Sequence, residues 1–403
     1  MPLAFLPDVF EQHVDELGFL RRQRRAALED PERTWKSLCE LDARLDAHVA
    51  GTLAIGAEMP PRLRPALEGD DASRAFAAAI ALLRARDVDG TRTLLGALAT
   101  AEGDRLDALA DALAIAAPPA LLTHLLPIAR GDNAARAIAM LEIIARRGGT
   151  LPDTPSVDAL IGHDDPLIAA RAWRLIAHRG TAMPDSTLQR ALSAAPPPVR
   201  RAAVDTAIWL RTPWLLDAAR HALPHATPAD LPLLGALALL GEAADHRALT
   251  HIIADPSFGP ARFDLARLDG SADAVERCIA AMTPTDPEGA AAAGLAFWRI
   301  SGESCVGPTR VSLAPPDASA FEKAFADEIV LPDPDEARRR WTRIQRAVSP
   351  STRLVHGTPL GGPIDATRLG RFDVISRREL YQRARWAGHW SESPLSLDAF
   401  PQR

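Results

Sequence analysis

Residues 163–176 read HDDPLIAARAWRLI, and residues 195–208 read APPPVRRAAVDTAI. Each stretch has Asp or Pro residues near its beginning, where they suit the start of a helix. Each then continues into an alanine-rich run that carries an arginine, Arg171 in the first and Arg201 in the second. The two arginines are 30 residues apart. The two stretches therefore predict helices of one kind that recur at a fixed interval.

The same pattern occurs elsewhere in the chain. Clear copies occupy residues 69–83 and 131–144, and weaker copies occupy residues 102–115, 229–240 and 286–298. In the copy at 69–83 the apolar residues follow the spacing i, i+3, i+4 and i+7 from Phe76, which is the spacing of one face of an α-helix. A single helix with one apolar face cannot form a core alone, so the copies predict helices that stack on one another.

The repeat length follows from the marker arginines, which are Arg74, Arg136, Arg171 and Arg201. They are separated by 62, 35 and 30 residues, and the first interval covers two repeats because the weak copy at 102–115 lies inside it. An interval of 30–35 residues is typical of one helical hairpin. The leading acids of the repeats, Asp70, Asp132 and either Asp164 or Asp165, are predicted to be helix N-caps.

The repeats resemble HEAT repeats. The resemblance lies in Asp165-Pro166 followed by Arg171-Ala172, and in Pro198-Val199-Arg200 followed by Ala202-Ala203. It implies an all-α fold, a HEAT-like α-solenoid of helical hairpins. The abundance of alanine agrees with this fold, because small side chains let helices approach closely. The low aromatic content of 5%, with Tyr381 as the single tyrosine, disfavours an all-β fold.

The chain is predicted to have four segments: a helical N-terminal region at 1–65, HEAT-like repeats at 66–301, a linker or loop at 302–320, and a small mixed C-terminal module at 321–403. The N-terminal region contains two amphipathic stretches, Asp8–Glu29 and Pro31–Leu53. The linker is predicted from its Gly, Ser and Pro content. In the C-terminal module, helices are predicted at Pro334–Ala347 and Ser376–Trp386.

Charge differs between the two parts of the chain. Residues 337–403 contain 13 arginines and 5 acidic residues, whereas residues 1–336 contain 33 basic and 47 acidic residues. A basic end can bind nucleic acid, but no known nucleic-acid motif accompanies these arginines. We therefore expect this end either to pack on the acidic repeats or to meet an acidic protein partner, rather than to bind nucleic acid.

The basic C-terminal module also contains a cluster of tryptophan and arginine, the residue types that dominate interface hot spots. We predict that these residues bind a protein partner: Trp341, Arg343, Arg383, Arg385, Trp386 and Trp390. The alternative is a small core lined by tryptophan, with the arginines in solvent. The sequence does not decide between the two.

Catalytic, cofactor-binding and metal-binding residues are not indicated. His221 and His225 have the i, i+4 spacing of metal ligands, but Pro224 lies between them and no third ligand follows. Ser304 misses the spacing of a nucleophile elbow by one residue, and no phosphate-binding loop occurs. The sequence therefore predicts a protein that is not an enzyme and uses no cofactor or metal.

The cysteines and the apolar segments bear on the cellular compartment of the protein. Cys39, Cys278 and Cys305 are far apart and odd in number, which is typical of thiols in a reducing compartment. The first ten residues do not have the pattern of a signal peptide. The longest apolar stretches, such as Leu231–Leu240, are too short to span a bilayer. A cytoplasmic protein without membrane partners is therefore predicted, of unknown oligomeric state.

Two further stretches resemble a family of HEAT-like proteins from proteobacteria. The first is LCELDARLDAHVAG at residues 38–51. The second comprises Trp341 to Leu354, His356-Gly357 and Pro359, followed by Arg377-Arg378-Glu379-Leu380. Members of that family are often encoded beside spike, adaptor and effector components of type VI secretion systems, and the family offers no catalytic residues.

The resemblance implies a non-enzymatic interaction scaffold that serves such a system as an adaptor, a chaperone or an immunity-type protein. Its partners would then be a secretion spike, an adaptor or an effector. The alternative is a HEAT-like enzyme or cofactor-binding protein with a site in the concave groove.

Overall fold

The computed structural model describes residues 7–152, 155–315, 317–361 and 369–394. Most of these residues are helical, and the strands form two small antiparallel sheets within residues 306–359. The predicted fold class, an all-α repeat protein with a small mixed C-terminal part, is confirmed.

Packing divides the chain into two compact units. Unit 1 comprises Met1–Leu210 and Asp365–Arg403, and unit 2 comprises Arg211–Ile364. Unit 1 is thus built from both ends of the chain. The segment predicted as the C-terminal module, 321–403, contributes residues to both units.

The first part of unit 1 contains twelve α-helices in its described residues. They are α1 (Pro7–Glu29), α2 (Trp35–Leu53), α3 (Met59–Leu63), α4 (Ala72–Ala85), α5 (Val88–Thr100), α6 (Gly103–Ala116), α7 (Leu122–Ala129), α8 (Ala134–Arg146), α9 (Pro155–Leu160), α10 (Pro166–Arg179), α11 (Asp185–Ala194) and α12 (Pro197–Trp209).

Unit 2 continues with helices and then changes to a mixed structure. Its elements are α13 (Leu215–Ala222), α14 (Leu231–Leu240), α15 (Ala243–Ala254), α16 (Arg262–Asp269), α17 (Ala272–Ala281), α18 (Pro287–Ser301), β1 (Val306–Ser312), α19 (Ala320–Phe325), β2 (Glu328–Pro332), α20 (Pro334–Gln345), β3 (Leu354–Val355) and β4 (Thr358–Pro359). The last element within the described residues, α21 (Val374–Trp386), belongs to unit 1.

Each sequence repeat forms a helix. In unit 1 the copies correspond to α4, α6, α8, α10 and α12, and each of these packs against the next to form one layer. The helices between them, α5, α7, α9 and α11, pack beside this layer. In unit 2 the weaker copies correspond to α14 and α18, and α16 packs between these two.

Alanine allows the close packing of the layer. In α4 every residue from Ala75 to Leu83 is buried, including the alanines on both sides of Phe76. A helix that is buried on nearly all sides needs neighbours on all sides, which the layer, α1 and α5 supply.

The helix starts refine the predicted N-caps. The carboxylate of Asp71, not Asp70, accepts hydrogen bonds from the backbone N–H groups of Ser73 and Arg74. Asn133, not Asp132, caps α8, and Asp165 caps α10 as one of the two predicted choices. In each case the cap is the residue with extended backbone directly before the helix.

Part of the predicted linker, 302–320, is a strand. β1 pairs antiparallel with β2, from Arg310 opposite Val330 to Ser312 opposite Glu328. The register is irregular between Val306 and Arg310, the interval that contains Pro308. Cross-strand pairing outweighs the loop-forming composition of this stretch, and composition alone does not reveal the partner strand.

A partly buried arginine joins the end of unit 2 to its helices. The guanidinium of Arg353 donates hydrogen bonds to three backbone carbonyls, those of Ala238, Leu268 (2.9 Å) and Asp269 (2.5 Å). Burial lowers the pKa of Arg353 to about 10. Because α14 and α16 end at these carbonyls, the arginine satisfies helix C-terminal acceptors that would otherwise be buried without partners.

Helix α21 packs against α1 and α12. Val374 forms a small apolar cluster with Ala27 and Leu38, and the backbone N–H of Trp35 donates to the Phe372 carbonyl at 2.8 Å. Seven helices of unit 1 therefore pack in closed order: α1, α4, α6, α8, α10, α12, α21 and again α1.

Candidate functional site

The predicted partner-binding residues are divided between the two units, and two of them lie on α20 in unit 2. Trp341 is 2% exposed and therefore belongs to the core of that unit. Arg343 is exposed, and its guanidinium donates to Oε1 of Glu303 at 2.7 Å. Burial gives Trp341 a packing role, so of the two predicted residues on α20 only Arg343 is presented to solvent.

The other four predicted residues lie on or just after α21 in unit 1. Nε of Arg385 donates to the Trp209 carbonyl at 2.9 Å, and its Nη1 donates to the Trp390 carbonyl at 3.2 Å. The Trp390 ring contacts Tyr381, with ring centroids 4.3 Å apart. Arg383 and Trp386 are partly exposed. The structure thus brings Arg385 and Trp390 together, and these contacts hold the chain after α21 against α12.

A set of charged residues that sequence reasoning did not select lies on the helix layer of unit 1. We call this set the charged face. It consists of Asp107 and Asp111 on α6, Glu142 on α8, Arg171 and Arg174 on α10, and Asp205 on α12.

Helix α1 pairs with one end of the charged face. Nε of Arg21 lies 2.8 Å from Oδ2 of Asp111, and the guanidinium of Arg25 lies 3.2 Å from Oδ2 of Asp107. Arg21 is 7% exposed, so its pair with Asp111 is largely removed from water. These contacts connect α1 to α6 in addition to its packing against α4.

The centre of the charged face is a two-bond pair between Glu142 and Arg171. The guanidinium donates to both carboxylate oxygens, at 3.1 and 2.8 Å. Burial raises the pKa of Glu142, but the charge and hydrogen bonds of Arg171 outweigh it, so the net shift of the pKa is downward. The charges of Arg146 and Arg174 add to the lowering. Glu142 is therefore ionised and fixed in position.

Asp205 lies at the other end of the charged face, and its pKa is raised, whereas that of Glu142 is lowered. Its Oδ1 accepts a hydrogen bond from Nε2 of Gln382 on α21 at 3.0 Å. Burial raises the pKa of Asp205 in spite of nearby arginines, of which Arg378 has the largest influence. The residue is nevertheless partly exposed, so it lies in a confined setting that water still reaches. Arg174 influences both Glu142 and Asp205, and it is exposed.

The marker arginines of the repeats could have signalled these pairs. Arg74 contacts Glu11 at 2.6 Å, Arg136 contacts Glu102 at 3.5 Å, and Arg171 pairs with Glu142. In each case the arginine of one repeat contacts an acid on or next to an earlier helix. Arg136 and Arg171 are therefore contacts between successive repeats, whereas Arg74 contacts α1.

Histidines and cysteines are residue types that can serve as metal ligands or nucleophiles. His221 and His225 are both exposed, and α13 ends at Ala222, between them. No group of three or more His, Cys, Asp or Glu side chains suited to a metal ion occurs within the described residues. Burial raises the pKa of Cys305 to about 11, and Cys278 is fully buried, so neither thiol is a ready nucleophile at neutral pH.

No protein-family model matches the chain, and no curated protein sequence matches it either. Among the helices within the described residues, none combines the length and the apolar character needed to cross a lipid bilayer.

Proposed function

We propose that the protein is a non-enzymatic interaction scaffold. The observation that carries this proposal is the layer of α4, α6, α8, α10 and α12, in which successive hairpins stack. Stacked repeats of this kind create extended surfaces that are suited to binding other proteins. The paired charges of the charged face and the buried thiols of unit 2 agree with a structural rather than a chemical role for these groups.

More specifically, we propose an accessory role in a bacterial type VI secretion system, as an adaptor, a chaperone or an immunity-type protein in the cytoplasm. The support is the resemblance of residues 38–51 and of the segment from Trp341 to Leu380 to proteins encoded beside such systems. The partner would be a secretion spike, an adaptor or an effector.

The test is affinity purification of the tagged full-length protein from its native cells after chemical cross-linking, with identification by mass spectrometry. We expect spike, adaptor or effector components to co-purify in amounts well above those captured by an unrelated tagged protein. Recovery without any secretion component would contradict the secretion-related role.

A second candidate is a HEAT-like enzyme or cofactor-binding protein, with its site either in the predicted concave groove or on the charged face. The observation that favours it is Asp205, a partly exposed carboxyl group with a raised pKa beside Gln382 and near Arg174. Thermal-shift measurements with metals and a small-molecule library test it. A ligand that raises the melting temperature of the wild type but not of Asp205→Ala would favour it.

A further inference from the structure

Two phenylalanines on the short helix α19 are more exposed than apolar side chains of this size normally are. Phe321 is 72% exposed and Phe325 is 76% exposed, and their ring centroids are 4.7 Å apart. Burial of such a side chain stabilises a folded protein. Two adjacent rings left in water are therefore a feature that folding of unit 2 does not explain.

A third exposed apolar residue is joined by a backbone hydrogen bond to the segment that follows α19. Leu313, directly after β1, is 43% exposed, and its backbone N–H donates to the Asp327 carbonyl at 2.8 Å. Asp327 is two residues after Phe325, so this bond brings the end of β1 to the end of α19. We call Leu313, Phe321 and Phe325 the apolar patch.

Carboxylates flank the phenylalanines in sequence. Glu322 lies between the two phenylalanines in sequence, Asp327 and Glu328 follow them, and all three are exposed. Residues 310–330 contain four acids, the fourth being Asp317, and two bases, Arg310 and Lys323, and the guanidinium of Arg310 lies 3.6 Å from Oε2 of Glu328. The carboxylate of Glu322 accepts the backbone N–H of Ser319 at 2.7 Å, and this hydrogen bond lowers the pKa of Glu322. Glu322 is therefore ionised at neutral pH.

We propose that the apolar patch and its carboxylates bind a basic amphipathic segment of a partner protein. Apolar side chains of the segment would cover the two rings, and its lysines or arginines would pair with Glu322 and Asp327. A guanidinium can also stack on a phenylalanine ring, which adds to the preference for a basic segment. The proposal rests on the scaffold function and names the chemistry of one partner.

The acidic setting distinguishes this occupant from two others. A membrane surface that carries anionic lipids would be repelled by the carboxylates. In a second copy of the chain, the same patch would bring like charges together across a symmetric interface. A basic segment of another protein is the occupant whose charge complements the patch.

The test measures fluorescence anisotropy of two labelled synthetic peptides with the full-length protein. One is an amphipathic 14-residue peptide of Leu and Lys, and the other has Glu in place of every Lys. We expect the Leu/Lys peptide to bind and the Leu/Glu peptide not to bind. Phe321→Ala/Phe325→Ala should weaken binding at least tenfold, and Glu322→Gln/Asp327→Asn should weaken it and reduce its salt dependence.

Phe19→Ala is the matched control. Phe19 is also an exposed phenylalanine, at 43%, and it lies beside acids on α1, in unit 1. A general attraction of the cationic peptide to an acidic protein would be weakened equally by both phenylalanine changes. Because all substituted residues are exposed, circular dichroism should show unchanged folding of each variant.

Several outcomes would overturn the proposal. These are equal affinity of wild type and Phe321→Ala/Phe325→Ala, equal binding of the two peptides, and equal losses with Phe19→Ala. Two further measurements are sedimentation of the protein with vesicles of zwitterionic lipid and self-association in ultracentrifugation. The proposal would be overturned if Phe321→Ala/Phe325→Ala abolished vesicle binding or self-association but left peptide binding intact.

Failure of the scaffold function can be distinguished from failure of the apolar-patch proposal. If the wild type and Phe321→Ala/Phe325→Ala capture the same secretion components from cells, the scaffold function stands and the patch is not their binding site. If the peptide requires the phenylalanines but no secretion component is captured, the patch stands and the secretion role falls.

Discussion

At the scale of single residues, the Glu142–Arg171 pair is the most consequential polar contact of unit 1. The side chains are 12% and 29% exposed, and two further arginines influence the carboxylate. Glu142→Gln keeps the shape but leaves the positive charges near it without compensation. We expect it to lower the free energy of unfolding by about 3 kcal/mol, measured by urea denaturation.

The Arg136–Glu102 pair provides a control of the same residue types. Its atoms are 3.5 Å apart and Glu102 is 75% exposed. Glu102→Gln should therefore change the free energy of unfolding by less than about 0.5 kcal/mol. Equal effects of the two substitutions would show that burial does not determine how much these contacts contribute to the free energy of unfolding.

A second residue-scale feature is a histidine pair between α1 and α2. Nδ1 of His13 lies 3.0 Å from Nδ1 of His48, so one nitrogen must donate and the other must accept. Burial and the charge of His13 lower the pKa of His48. A lowered pKa in the folded state favours the neutral ring, so this contribution to stability is present above the unfolded-state pKa of about 6.5. It is lost as the pH falls through the lowered pKa.

We therefore expect the melting temperature of the wild type to fall between pH 7.5 and 5 more steeply than that of His48→Gln. The measurement is differential scanning fluorimetry across this range. His251→Gln, at an exposed histidine, serves as the control and should retain the wild-type slope. A slope for His48→Gln equal to that of the wild type would contradict a role of this pair.

At the scale of the element, the cap of α4 offers a test within two adjacent residues. Asp71 accepts two backbone N–H groups of the first turn. Asp71→Ala should lower the free energy of unfolding by about 1 kcal/mol. Asp70→Ala, next to it, should change the value little. Chemical denaturation of both variants checks this, and a larger effect at Asp70 would contradict the cap assignment.

The same cap shows what a sequence can and cannot predict. The helical stretches of the repeats were predictable because apolar spacing and alanine content are local properties. Asp70 and Asp71 are both good cap residues, so choosing between them requires the backbone conformation. The β1–β2 pairing was not predictable, because a strand containing Pro308 becomes stable only through its partner.

The candidate site was less predictable than the fold. Trp341 and Trp390 were selected by residue type, and residue type does not reveal burial, which places Trp341 in a core. The charged face was missed because its members are spread from Asp107 to Asp205 and meet only when the repeats stack. The recurrent arginine can be recognised in the sequence, but its acidic partners do not lie a fixed number of residues before it.

At the scale of the whole molecule, unit 1 depends on a helix from the far end of the chain. α21 supplies Val374 to the cluster with Ala27 and Leu38, and Gln382 to Asp205. Cys39 lies on α2, next to Leu38, and burial is the main cause of its raised pKa. A chain that ends at Ile364 lacks α21 and should expose this cluster and Cys39.

We expect the truncated chain to alkylate faster at Cys39 than the full chain, because the thiol gains contact with water. Mass spectrometry after a timed pulse of iodoacetamide measures the rate at each cysteine. Cys278, fully buried in unit 2, is the internal control, and its rate should not change. Faster labelling of both cysteines would instead indicate global unfolding, whereas unchanged labelling of Cys39 would show that α1, α2 and α12 hold unit 1 together without α21.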